Sequence, residues 1–331
     1  MSPWIRLAFL ALGAAVLLLL IAGTDVRELQ QAVRRADGIL LAWAFALLVL
    51  DIGLKAVRWR FMAAQLAEPP LMLRHAAISV LAGVAAASLA PARGIEFAKP
   101  LLLRRSRGVA LSTSTAAVVV ERLLDGVSLI VLFGASLVLL PAGRAAVFRP
   151  VFAAIGILVI GIGLVLAIPS RLSGVLTRVL SALPLPAGIR PRVLSLVETF
   201  LHGMLMWRRH QQLWIAVALS VAAAVTEAVR LTLVCAALGT PITIAQAMFT
   251  FSLANLVAVL TLIPGGVGVT ELSMAGILRL IATAGPPAAL TATVLVDRML
   301  AYYLVVVVGS LVLLAVGMAR PYDPGTGAQD R

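Results

Sequence analysis

Two short segments place proline, glycines and a carboxylate inside otherwise apolar runs. Residues 262–271 read Leu-Ile-Pro-Gly-Gly-Val-Gly-Val-Thr-Glu, and residues 89–96 read Leu-Ala-Pro-Ala-Arg-Gly-Ile-Glu. Proline stops an incoming helix, and glycine permits the sharp turn that follows. We expect a short second helix after each break, capped in the later segment by Gly268 or Thr270. The residues predicted to form the two breaks are Pro91, Gly94, Pro264, Gly265, Gly266 and Gly268.

The carboxylates Glu96 and Glu271 each open one of these predicted half-helices. The helix dipole stabilises a carboxylate there by up to about 1 kcal/mol. Capping alone would be served by Ser or Thr and would not require a helix broken within a bilayer. Broken helices with a charged residue at the break are typical of transporter binding sites. Arg93 is the best candidate to hold a phosphate or carboxylate, because its guanidinium is a bidentate fork.

Thirteen ionisable side chains fall within apolar runs of the chain. At about 2.5–3.5 kcal/mol for each lipid-facing charge, their total cost would exceed the net stability of about 5–15 kcal/mol typical of a folded protein. They must therefore face inward, pair with one another or line a wet cavity. These residues are Asp51, Lys55, Arg93, Glu96, Lys99, Glu121, Arg122, Asp125, Glu227, Arg230, Glu271, Asp297 and Arg298.

Two of the expected pairs are local. Asp51 and Lys55 are spaced i, i+4, and Glu227 and Arg230 are spaced i, i+3, so each couple can neutralise itself on one helix face. We interpret both couples as structural. Arg58 follows on the same face as Asp51 and Lys55, but we assign it to the basic connection that comes after that span.

The other charged side chains are expected to reach neighbouring helices. Arg122 is flanked by Glu121 and Asp125, and Asp297 stands beside Arg298. Adjacent residues of a helix point about 100° apart, so each pair presents its two charges to different surroundings.

The composition indicates an all-α polytopic membrane protein. Of 331 residues, 62% are hydrophobic and 12% are charged, and the mean hydropathy is +1.07. A soluble protein needs a far more charged surface. We expect a single integral membrane domain over residues 1–320 and a disordered polar tail over 321–331. We predict about six full spans, at 4–23, 39–57, 111–140, 151–168, 213–238 and 288–317, plus two re-entrant broken-helix hairpins at 76–103 and 244–284. The tryptophans are interpreted as interface anchors: Trp4, Trp43, Trp59, Trp207 and Trp214.

Several function classes are disfavoured by the same composition. The net charge of +13 would suggest nucleic acid in a soluble domain, but in a membrane protein the positive-inside rule explains it. Cys235 is the single cysteine and the three histidines are far apart, so we expect neither disulfide nor metal site. There is no P-loop and no nucleophile–base arrangement. We therefore expect no enzyme, no cofactor and no nucleic-acid partner.

The two breaks belong to two similar units, at about 76–140 and 244–317. In each unit an acid–Arg pair follows the break, at positions 121–122 and 297–298. The basic connection at 169–212 is expected in the cytoplasm, and the uncharged turn at 239–241 outside. The two hairpins then enter from opposite faces, which predicts an inverted internal repeat with both chain termini in the cytoplasm.

Four motifs in order resemble the lysylphosphatidylglycerol synthase transmembrane-region family, which is described as flippase-like. They are Pro-x-Arg-Gly-x-Glu-x-x-Lys at 91–99, Glu-Arg-x-x-Asp at 121–125, Pro-Gly-Gly-x-Gly-x-x-Glu at 264–271 and Asp-Arg-x-x-x-Tyr at 297–302. The resemblance implies a bacterial inner-membrane protein that moves a lipid or lipid-linked substrate, with an anionic headgroup, between leaflets. Full-length synthases carry a soluble aminoacyl-transferring domain that we do not find before Arg331, so we expect no synthase activity. Substrate-binding or gating roles are expected for Arg93, Glu96, Lys99, Glu121, Arg122, Asp125, Glu271, Asp297, Arg298 and Tyr302.

The preferred mechanism is alternating access at the membrane centre. The two hairpin tips would meet, Arg93 with Arg122 or Arg298 would hold the headgroup, and Glu96 and Glu271 would serve gating or proton coupling. Membrane lipids are then the main partners. Two alternatives remain open: a proton-coupled transporter of a small polar solute, and a non-transporting scaffold that binds envelope-biosynthesis proteins.

Overall fold

The secondary structure of the described residues is entirely helical. The structure, a computed structural model, describes residues 30, 33–88, 96, 98–140, 212–261, 263–282 and 285–317. The predicted spans at 4–23 and 151–168, the basic connection up to residue 211 and the tail at 321–331 lie outside this part of the chain. So do Pro91, Arg93 and Gly94 of the first break.

The helices follow the predicted segments in order. The last two are joined by a π-helical segment, Met299–Leu304, and form one continuous rod. The Asp37 carboxylate caps the first helix by accepting from the Ile39 and Leu40 amides. The bounds are α1 Gly38–Ala63, α2 Leu73–Ser88, α3 Ala98–Arg107, α4 Leu111–Leu139, α5 Gln212–Ala237, α6 Ile244–Leu260, α7 Val269–Ile281, α8 Pro287–Arg298 and α9 Val305–Gly317.

Three of the described helices are long and apolar enough to cross a membrane, at Gly38–Ala63, Leu213–Ala237 and Ala289–Ala315. The helices α2 and α6 are apolar but shorter, as expected for the first arms of re-entrant hairpins. The prediction of an all-α membrane protein is therefore confirmed for the described residues. The count of six full spans stays a prediction.

The second break is present where the sequence predicts it. Helix α6 ends at Leu260, a 3₁₀ turn occupies Pro264–Gly266, and α7 begins at Val269 after Gly268. Gly265, Gly266 and Gly268 have φ values of 63°, 64° and 80°, which only glycine adopts readily. In the first hairpin, Glu96 lies two residues before α3 instead of in its first turn.

Helix α1 is longer than predicted, and this changes two assignments. It continues to Ala63, so Arg58 and Trp59 belong to the helix and not to a basic connection. Both side chains are buried. The interpretation of Trp59 as an interface anchor is wrong, because α1 packs against α2 and α5 and the Lys99 ammonium lies 5.2 Å from the indole centroid.

Helix packing brings the two predicted units together. Helix α1 lies along α5, α2 packs against α9, and α4 packs against α6. Phe133 of α4 and Phe249 of α6 stack with ring centroids 5.4 Å apart. A Cβ at Gly309 would overlap the Leu81 carbonyl oxygen, so the backbones of α2 and α9 are in direct contact at this point. Helix α2 also contacts the turn at the tip of the second hairpin.

Candidate functional site

A cavity of about 560 Å³ lies between α1, α2, α4, α5 and α6, with α3 at one end. Its volume is within the range of small-molecule sites, about 300–1,000 Å³. One part of its wall is apolar, formed by valines, leucines and Phe251. The charged and polar residues that line it are Lys55, Arg58, Glu96, Lys99, Glu121, Arg122, Asp125, Ser128, Ser220, Glu227 and Asn255.

Glu121 is the buried centre of the ionic network beside this cavity. Its side chain has 0% exposure. The Lys99 ammonium donates to both of its oxygens at 2.9 and 2.8 Å, and the Arg58 guanidinium donates to Oε1 at 2.7 Å. Arg58 also donates to Asp125 at 2.5 Å and to the Ser220 hydroxyl at 2.6 Å. This cluster therefore ties α1, α3, α4 and α5 together.

Arg122 is the most exposed of the four cations that line the cavity. Its guanidinium donates to Glu96 at 2.7 Å and lies 3.2 Å from an Asp125 oxygen. The side chain of Arg122 is 38% exposed, whereas that of Arg58 is 1% exposed. Glu96 in turn binds Lys99 at 2.5 Å. The first-break carboxylate is thus joined to the acid–Arg pair of its own unit.

Arg122 can leave its partners without stranding a carboxylate. Glu96 keeps Lys99, and Asp125 keeps Arg58. A buried carboxylate that loses its only cation destabilises the site by about 3–5 kcal/mol, but here each retains a counter-charge. Arg122 is therefore the cation best placed to turn toward an anionic ligand.

Lys55 is bound differently. It donates to Asp51 at 2.8 Å and to Glu227 of α5 at 2.6 Å, so it bridges two carboxylates. The predicted pair of Asp51 with Lys55 is confirmed. The predicted local pair of Glu227 with Arg230 is wrong, because Glu227 binds Lys55 and the Arg230 guanidinium lies 3.0 Å from Asp297 of α8. Helix crossing brings these distant charges closer than the i, i+3 spacing does.

A second cluster surrounds the other break. Arg298 donates through Nε to Glu271 at 2.8 Å, and the Tyr303 hydroxyl donates to the same oxygen at 3.2 Å. The Arg298 guanidinium lies 4.4 Å from the Tyr302 ring centroid, and a Cβ at Gly265 would overlap the Tyr302 hydroxyl. The Arg298 side chain is only 10% exposed. The arginine of this cluster is therefore more buried than Arg122, the arginine of the first cluster.

Similar ion pairs follow the two breaks. Each break glutamate binds the arginine of its acid–Arg pair, Glu96 with Arg122 and Glu271 with Arg298. The acid of each pair binds an arginine on an earlier helix. Glu121 binds Arg58 of α1, and Asp297 binds Arg230 of α5. All these pairs cross between helices or segments, as we expected for the acid–Arg positions.

Sequence reasoning missed several residues of the site. Arg58 was left in a connection, and Lys55 and Glu227 were given only local roles, yet all three line the cavity. A signal existed in the tetrapeptides Lys-Ala-Val-Arg at 55–58 and Glu-Ala-Val-Arg at 227–230. Gly83 was also missed. A Cβ at Gly83 would lie 2.5 Å from a Glu96 oxygen, so only glycine lets this carboxylate approach α2 so closely.

The predicted site residues thus fall into two groups. Glu96, Lys99, Glu121, Arg122 and Asp125 form one network, and a second is formed by Glu271, Asp297, Arg298 and Tyr302 with their partners. Arg93 lies outside the described residues. Within the described ranges no group of three His, Cys, Asp or Glu side chains is placed to hold a metal ion. The arrangement is suited to exchanging ion-pair partners with a charged ligand.

Comparison with known proteins identifies the family of this chain. The model of the lysylphosphatidylglycerol synthase TM region matches residues 4–309. A relative described as a UPF0104 membrane protein, from Methanothermobacter thermautotrophicus (strain Delta H), is 27% identical over 320 residues, covering 92% of this chain and 92% of that protein. The match includes both breaks and both acid–Arg pairs, and the chain therefore belongs to the lysylphosphatidylglycerol synthase transmembrane-region family.

Proposed function

We propose that this protein translocates a lipid, or a lipid-linked molecule with an anionic headgroup, between membrane leaflets. The observation that carries the proposal is Arg122, the most exposed cation of the cavity lining, whose two carboxylate partners both have a second cation. A phosphate can take the place of Glu96 on the Arg122 fork without leaving a buried charge unpaired.

The mixed lining of the cavity supports a lipid substrate over a small polar solute. Besides the charged side chains, the lining contains apolar side chains that include Val80, Val84, Phe251, Leu256 and Val259. On this proposal a headgroup contacts the charges, while the acyl chains contact the apolar side chains. A small polar solute would use only the charged part of this lining.

The mechanism we propose is alternating access by an inverted repeat. On this proposal the units are longer than the sequence indicates, with α1–α4 in one and α5–α9 in the other. The matching ion pairs and the tetrapeptides at 55–58 and 227–230 support this extension. In the alternate state the Glu271–Arg298 cluster would open as the Glu96–Arg122 cluster closes.

The proposal also covers the membrane in which the protein acts and the kind of work that it performs. We place the protein in the bacterial inner membrane with both termini in the cytoplasm, as the distribution of arginines favours. Its partners are membrane lipids, and the work it performs is binding and movement without an enzymatic step. Proton coupling or gating at Glu96 and Glu271 is part of this proposal.

The test is to identify the lipids that remain with the protein after extraction in native-lipid particles. Lipids bound to the wild type, to Arg122→Gln and to the control Arg60→Gln are measured by mass spectrometry. Arg60 is an exposed arginine near the end of α1, so its replacement alters charge away from the cavity. We expect one anionic lipid class enriched over bulk membrane in the wild type and the control, and a loss of about tenfold or more in Arg122→Gln, as removal of one charge-assisted contact implies. Bulk lipid composition in all three would refute the proposal and favour the solute transporter or the scaffold.

A further inference from the structure

We propose that Asp51, together with Lys55 and Glu227, forms a proton-binding site that couples anion binding in the cavity to the uptake of one proton. This inference rests on the proposed function, because it concerns how the same cavity accepts an anionic headgroup. It assigns a role to three residues that local spacing alone would leave as a structural ion pair.

The charge balance of the network motivates the proposal. Among the described residues, the carboxylates of Asp51, Glu96, Glu121, Asp125 and Glu227 face the cations Lys55, Arg58, Lys99 and Arg122. Five carboxylates meet four cations, and each cation already has a carboxylate partner. An anion that enters this set adds to a negative excess in a poorly solvated place, so a compensating positive charge is required.

The contacts of Lys55 indicate which groups can take up that positive charge in the form of a proton. Its side chain is 28% exposed and lines the cavity, so a headgroup held by Arg122 can also attract Lys55. In contrast to Arg122, Lys55 is the only ion-pair partner that Asp51 and Glu227 have among the described residues. When Lys55 turns to the ligand, a carboxylate loses its ion-pair partner, and protonation removes the negative charge left behind.

Asp51 is the carboxylate suited to take the proton. Its side chain lies one helical turn before Lys55 on α1, is 7% exposed, and is outside the cavity lining. Its Oδ2 accepts from Lys55, while Oδ1 is buried without a hydrogen-bond partner in the described part of the chain. Oδ1 is therefore free to take a proton, which gives a neutral carboxylic acid with no other group changed.

The second proposed unit has no carboxylate that corresponds to Asp51. The position four residues before Glu227, which corresponds to Asp51, is Ala223. The elements packed against α1 carry other charged and titratable groups: Glu227, Arg230 and Cys235 of α5, Glu121, Arg122 and Asp125 of α4, Arg74 and His75 of α2, and Tyr302 and Tyr303 of the π segment with Asp297 and Arg298 just before it. Among the cations, Arg230 is engaged by Asp297, and Arg58 of α1 itself is engaged by Glu121 and Asp125.

The experiment measures protons taken up for each bound lipid. Dihexanoyl-phosphatidylglycerol, a soluble anionic lipid, is titrated into the full chain in detergent by calorimetry, in sodium-free buffers of different ionisation enthalpy. Wild type and the control Glu68→Gln, an exposed acid between α1 and α2, should take up about one proton per lipid. Their affinity should fall by up to about tenfold per pH unit as pH rises, since the loaded state holds the extra proton. Asp51→Asn mimics the protonated side chain and should bind with no proton uptake and little pH dependence.

The outcomes separate this inference from the proposed function. No binding of the lipid by wild type at any pH would overturn both. Binding by wild type without proton uptake, or binding that requires added sodium, would overturn the coupling alone. Uptake that persists in Asp51→Asn would place the proton elsewhere and equally overturn it. If Asp51→Asn does not fold, the proton number of wild type and its reduction in Glu227→Gln still decide the question.

Discussion

Replacement of Glu121 by glutamine should strongly destabilise the protein, because Glu121 is the most buried carboxylate of the cavity lining. The substitution keeps the size of the side chain and removes one negative charge that faces both Lys99 and Arg58. Each cation keeps one carboxylate, Lys99 with Glu96 and Arg58 with Asp125. The new amide group must also turn one N–H toward a cation, because both original oxygens accept from cations.

The magnitude follows from the burial of this cluster. Removing one partner of a buried ion pair costs about 3–5 kcal/mol. Since both cations keep one carboxylate, we expect the lower end, about 3 kcal/mol. For a large chain each kcal/mol shifts the melting temperature by about 2 °C or more, which gives a loss of about 6 °C.

The assay is thermal unfolding in detergent followed by size-exclusion chromatography, with Glu68→Gln as the matched control. The double variant Glu121→Gln with Lys99→Met removes the ammonium that the first change leaves underpaired, so it should recover at least half of the lost stability. A melting temperature for Glu121→Gln within 1 °C of the control, roughly the effect of a surface change, would refute the reasoning. So would a double variant no more stable than Glu121→Gln alone.

Two glycine substitutions test the close helix contacts. Gly309→Ala should destabilise the protein by about 1–3 kcal/mol in the same thermal assay, because its methyl group would overlap the Leu81 carbonyl of α2. The control is Gly276→Ala, which should be neutral or stabilising because the space around its Cβ is open. Gly83→Ala should also destabilise the protein by about 1–3 kcal/mol, because its methyl group would lie 2.5 Å from an oxygen of the buried Glu96 carboxylate, which Lys99 and Arg122 hold in place. A melting temperature equal to that of Gly276→Ala would show that Glu96 can move without losing these ion pairs.

The second helix break could be predicted because its cause is local. Proline and three glycines within five residues determine the backbone there, whatever packs around them. The expectation that the intramembrane charges pair was also correct for the described residues, because lipid gives an ionic group no alternative. Both inferences needed only the types of the residues and the fact that lipid surrounds the chain.

The choice of partners could not be predicted in the same way. Glu227 has Arg230 one turn away, yet it binds Lys55, 172 residues distant in sequence. Spacing along a helix gives only the local candidate, while the crossing of α1 and α5 determines which charges approach within 3 Å. The end of α1 was missed for a related reason. Arg58 and Trp59 are polar or amphipathic in sequence, and only the packing of α5 and Lys99 against them explains their burial.

On the proposed repeat, the two units differ in three charged residues, and these differences determine the chemistry of the cavity. The residues common to both units are neutral in sum, because each arginine has a matching acid and Lys55 pairs with Glu227. The first unit adds Asp51, Lys99 and Asp125, whereas the corresponding positions of the second are Ala223, Met274 and Ala301. These additions release Arg122 from dependence on a single partner and leave one carboxylate in excess. Two units without these three residues would hold the helices together equally well. The presence of the three residues beside the cavity therefore favours a role in binding over a role in stability.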